Sequence, residues 1–158
     1  MPMKEPKLEK ADASVKEVVR KVLTFHELEQ VNGARVEYLF SLKAMKAKGR
    51  RLYAKIVLSP ELHSLIHGIE AMVIIDKELW ETLDGNRREA VIFHELCHLE
   101  SDGEGGLSLR SHDLEEFRAV VRRYGDWTGD VRGMTEQLCL FDGQIEGSEV
   151  AQFAETQA

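Results

Sequence analysis

Only two cysteines, Cys97 and Cys139, occur in the 158 residues, and they form no C-x-x-C pair. That excludes both a disulfide framework and a four-cysteine zinc ribbon. Long hydrophobic runs are missing as well. The longest, at 71–75, is far short of the roughly 20 residues a membrane helix needs. The first ten residues are polar and charged, with no apolar stretch behind them of the kind a secretion signal carries. Positive charge is in deficit too: 21 Lys and Arg stand against 28 Asp and Glu, a formal charge of −7. This argues against a nucleic-acid coat protein or a polybasic membrane binder. There is no internal repeat and no low-complexity block. Hydrophobic residues make up 43% and charged residues 31%, ordinary globular proportions, so the chain can bury a core without covalent staples. These bounds predict a soluble, cytoplasmic protein, with one domain over 1–141 and a polar, acidic, disordered tail over 142–158.

Apolar residues then set the expected elements. Val15, Val18, Val19, Val22, Leu23 and Phe25 recur at three- and four-residue steps within 8–31, an amphipathic helix that Asn32-Gly33 would stop. Two strand-like runs, 35–42 and 52–58, read as a hairpin whose long loop turns at Gly49. A short helix is expected at 61–66, a buried strand at 69–76 and a short helix at 77–83. A longer helix follows from about 87 to 100, with Asn86 as its N-cap and Glu89 completing a capping box. The glycine-containing stretch 101–111 reads as a loop, followed by a helix from His112 or Asp113 to Tyr124. A last helix or docked segment is expected at 131–141. The fold class is α+β.

Within the long helix lies V-I-F-H-E-L-C-H-L-E at 91–100, an H-E-x-x-H. At about 100° per residue, His94 and His98 fall about 40° apart on one face, with Glu95 beside them. Ile92, Phe93, Leu96, Cys97 and Leu99 fall on the other arc, a face made for a core. Satisfied core histidines would not need that segregation. Two imidazoles one turn apart can share one tetrahedral Zn²⁺, and a catalytic zinc takes a third protein ligand and keeps one position open. Neither the glycine nor the later histidine of a metzincin follows His98. His112, in R-S-H-D-L-E-E-F, is the leading third ligand, because the glycine-containing loop can return the chain towards the helix. Glu115 and Glu116 are the alternatives, since a carboxylate on the next helix also completes such sites. Cys97 reads as a small core residue, and His26, His63 and His67 have no spacing that joins them to the pair.

These motifs resemble the zincin metallopeptidases of the SprT-like group, and more closely the phage metallopeptidase family of bacteria and bacteriophages. The likeness runs through V-E-Y-L-F, V-I-I-D-K-E-L-W-E-T-L, R-R-E-A-V-I-F-H-E-L-C-H-L and H-D-L-E-E-F-R-A-V-V-R-R-Y-G-D-W, from about residue 15 to 127. It implies a zincin-like domain with a small three-stranded sheet and one Zn²⁺ per chain. The implied ligands are His94, His98 and His112, with Glu95 as acid and base in peptide hydrolysis and a protein or peptide as substrate. Two departures matter. Phe117 stands one position further from His112 than in the commonest SprT-like arrangement, which keeps Glu116 in play. The SprT-like cysteine ribbon is missing, so that group's link to DNA does not carry over.

One further asymmetry stands out. The stretch 38–60 holds six bases (Lys43, Lys46, Lys48, Arg50, Arg51 and Lys55) and no acid, which leaves −13 on the rest of the chain. Such a stretch, centred on 43–55, can contact a nucleic-acid backbone, although a solvated hairpin is the commoner reason for one.

Overall fold

In the computed structural model, residues 7–28, 31, 33–101, 103–104, 106–111, 118–125 and 127 are described. The chain divides into two compact units, Met1–Arg110 and Ser111–Ala158. The first holds strands β1 (Leu8–Lys10), β2 (Val36–Ser41), β3 (Met45–Ala47), β4 (Arg50–Leu52), β5 (Ala54–Leu58), β6 (Ala71–Asp76), β7 (Leu99–Ser101) and β8 (Leu107–Leu109). Its helices are α1 (Ala13–His26), α2 (Glu61–His67), α3 (Lys77–Thr82) and α4 (Gly85–Cys97). The second unit contributes α5 (Arg118–Tyr124), on which Val120, Val121 and Tyr124 are buried. The tail at 142–158 and the segment at 131–141 lie outside the described residues.

The main sheet has four strands in the order β1-β2-β6-β5, where a three-stranded sheet was expected. The fourth is β1, whose Leu8, Glu9 and Lys10 pair antiparallel with Ser41, Phe40 and Leu39. Three residues are too short for any periodicity, so this edge was hidden in the expected first helix. That helix starts only at Ala13, where Asp12 accepts from the Ser14 N–H at 3.0 Å, and it ends at His26 with Glu27 in a left-handed conformation.

The expected pairing of 35–42 with 52–58 does not form. β2 runs parallel to β6 and β5 runs antiparallel to it, so β6 is inserted between them. The cause is composition: β6 is apolar on both faces and gains most from a central position. The intervening stretch makes its own ribbon, β3 with β4, turning at Lys48 and Gly49. Both residues have positive φ, 51° and 79°, the requirement of a tight hairpin turn whose twist matches its strands.

The core joins the sheet to α1 and α4, which lie against each other. Val15, Val18, Val19 and Val22 of α1 are buried, as are Val73 and Ile75 of β6 and Ala90, Val91, Ile92, Phe93 and Leu96 of α4. Trp80 is 1% exposed, and its indole N–H donates to Ser14 Oγ at 3.1 Å, tying α3 to the start of α1. At the other end of α1, the His26 ring stacks on Phe93 of α4 at 3.7 Å and 6°.

Candidate metal centre

α4 begins two residues earlier than the sequence indicates. Asp84, not Asn86, is its N-cap, with the carboxylate accepting from Arg87 N–H at 2.9 Å. The helix also ends earlier. Cys97 is its last residue and His98 is the C-cap, still in helical conformation, with its N–H returned to the Glu95 and Leu96 carbonyls. From Leu99 the chain leaves as β7 and comes back as β8 instead of looping freely. Leu99 pairs with Leu109, Glu100 with Ser108 and Ser101 with Leu107.

This geometry sorts the ten-residue motif as its periodicity indicated. Ile92, Phe93, Leu96, Cys97 and Leu99 are at most 3% exposed, while His94 and His98 are half-buried. The two imidazoles stand 5.2 Å apart, centroid to centroid, at 68°. With Zn–N bonds of about 2.0–2.1 Å, two rings on one tetrahedral zinc have centroids about 5 Å apart, so the pair fits such an ion. Glu95 is 6% exposed, and Asp76 is the other buried carboxylate among the described residues. The two differ in surroundings. Asp76 caps α3 through the Leu79 N–H at 3.1 Å and takes both Nε and a terminal nitrogen of Arg51 at 2.9 and 3.1 Å. Glu95 follows His94 directly on the helix that carries both rings.

Arg110, which nothing in the sequence singled out, makes two contacts with His98 and a third with the residue before it. Its backbone carbonyl lies 2.7 Å from His98 Nδ1. Its N–H donates to the His98 carbonyl at 2.8 Å, and its guanidinium Nε donates to the Cys97 carbonyl at 2.5 Å. A carbonyl can only accept, so Nδ1 carries the proton, and in the neutral imidazole Nε2 carries the lone pair. That is the tautomer in which an imidazole binds a metal through Nε2, with its second nitrogen anchored by the protein. The same contacts give the last carbonyls of α4 partners they would otherwise lack.

His112 lies outside the described residues, as do Asp102, Asp113, Glu115 and Glu116. Among the described residues, no three His, Cys, Asp or Glu side chains come together around one point that could hold a metal. The structure therefore pairs the His94 and His98 rings, buries Glu95 on the same helix, and does not address the third ligand. The basic stretch is exposed on β3, β4 and their flanks, but Arg51 is drawn inward to Asp76 and reaches Glu78 at 3.3 Å. Its hydrogen bond to Asp76 raises its pKa above the ordinary arginine value. No helix among the described residues is long and apolar enough to cross a membrane.

Comparison with known proteins gives one match. Residues 6–139 fit the family model described as "Putative phage metallopeptidase". No curated protein matches the chain, and no solved structure matches it.

Proposed function

The chain belongs to the phage metallopeptidase family, and from that membership and the geometry of α4 we propose that it is a zinc-dependent peptidase of the zincin type. His94, His98 and His112 are the proposed ligands and Glu95 the general base. The observation that carries this reading is the pairing of two rings 5.2 Å apart with a fixed His98 tautomer that directs a lone pair through Nε2. His112 enters as the ligand that the family resemblance implies, two residues after Arg110 in the sequence. Glu116, six residues on from Arg110, is the alternative ligand.

Zn²⁺, when bound, lowers the pKa of a water towards about 7 and polarises a scissile carbonyl. Glu95 takes the proton of the attacking water and delivers it to the leaving amine of a protein or peptide substrate. The Arg110 carbonyl orients the His98 ring through Nδ1, and ligation through Nε2 requires the neutral imidazole. A non-catalytic zinc module is the competing reading. It gives no role to a carboxylate next to the first ligand, and a structural site would close its fourth position with a protein group.

Metal analysis of purified protein tests the site. About one zinc per chain is expected, lost in the double variant His94→Ala/His98→Ala. Full zinc content in that variant would remove the site from α4.

A further inference from the structure

A second pair of imidazoles one helical turn apart stands on α2. His63 and His67 occupy positions i and i+4, with ring centroids 4.7 Å apart at 46°, again close to the roughly 5 Å of two rings on one tetrahedral zinc. The helix is held in shape at its end by Gly68, whose φ is 70° and whose N–H returns to the Ser64 carbonyl at 2.8 Å. None of the seven residues of α2 is buried. Leu62, Leu65 and Ile66 are 68%, 81% and 66% exposed. Their i, i+3, i+4 spacing makes one apolar stripe, and Ile66 lies only about 60° around the helix from His63. A chelating pair and an apolar stripe thus share one outward-facing surface.

We propose that α2 is a zinc-dependent homodimerisation surface, in which His63 and His67 of two copies complete one tetrahedral site. Two imidazoles supply half of the ligands that zinc takes. A two-fold axis through the ion supplies the other half and brings the two apolar stripes together. A different partner would have to carry both the same imidazole spacing and a matching apolar surface; a second copy has them by symmetry. The areas also argue for metal dependence. Six Leu and Ile side chains remove roughly 500 Å² from water, well under the roughly 1,200–2,000 Å² of a stable interface. Each copy also carries −7, which opposes association until the cation is bound.

Sedimentation velocity of the full chain during a zinc titration tests this. A monomer is expected without added zinc and a dimer with it, with about half a zinc per chain taken up beyond the content of the monomer. His63→Ala/His67→Ala should stay monomeric, and Leu65→Glu, which removes an apolar side chain from both copies, should raise the zinc midpoint by at least about tenfold. The variant His94→Ala/His98→Ala should still dimerise, so failure of the α4 site and failure of this one are told apart. A monomer in excess zinc, whether the stripe is bare or covered by the chain's own C-terminal segment, would overturn the proposal. So would equal dimerisation of His63→Ala/His67→Ala.

Discussion

His98 owes its tautomer to the Arg110 backbone carbonyl at 2.7 Å, a contact that substitution of the side chain leaves in place. The guanidinium does the rest, fixing the Cys97 carbonyl and with it the last turn of α4. Arg110→Ala should therefore weaken zinc binding by about tenfold, at the low end for groups that orient metal ligands, without abolishing it; competition with a chromogenic chelator measures this. The same assay decides the third ligand. His112→Ala should lose metal at low chelator and Glu116→Gln should keep it. The reverse order would make Glu116 the ligand, and equal retention would move attention to Asp102, Glu104 or Asp113. At this scale the sequence was informative where chemistry and periodicity coincide: His94, Glu95, His98 and the apolar arc of α4 could all be read directly. Arg110 could not be. Its role comes from the register of β7 with β8, three-residue strands joined across a glycine-containing turn, and no spacing encodes that.

Elements were legible in kind more often than in extent. α2, β6 and α3 lie within two residues of their expected limits, because their apolar content and bounding Gly, Pro and Asp agree. The ends of α1 and α4 were missed, since capping depends on which of several polar residues reaches an N–H. Asp84 wins over Asn86 by its bond to Arg87, so Asp84→Ala should cost about 1 kcal/mol and Asn86→Ala little. For a chain of this size that is a melting-temperature loss of about 2–4 °C, readable by calorimetry. Asp12 adds a pH dependence. The Ser14 hydroxyl, hydrogen-bonded to its carboxylate, holds its pKa below the ordinary aspartate value. A group depressed in the folded state contributes stability above its unfolded pKa of about 3.9 and loses it as pH falls through the lower folded value. Asp12→Asn should therefore lower stability at neutral pH and flatten its decline below about pH 4, as urea melts at several pH values would show.

Across the whole molecule the class was right, and the strand order was not. Strands adjacent in sequence were expected to pair, whereas the most apolar strand took the centre and separated them. The charge asymmetry is the other whole-molecule feature, and the ion pair of Arg51 with Asp76 bears on it. With Arg51 withdrawn to Asp76, the exposed cations of the β3–β4 ribbon are expected to be solvated, and duplex DNA should show no measurable binding at about 50 mM salt. Binding that weakens steeply with salt, with a slope flattened by neutralising Lys46, Lys48 and Arg50, would instead mark a phosphate contact. Arg51→Ala should lower the melting temperature more than Lys46→Ala or Arg50→Ala, because it strips a buried carboxylate of its cation. A peptidase centre on α4 is tested by proteolysis of an unfolded protein substrate by the native chain and by Glu95→Gln at matched zinc content. Cleavage by the native chain is expected, with a rate about 10²–10⁴ lower in the variant while its zinc is retained; equal cleavage by the two would take the general-base role from Glu95.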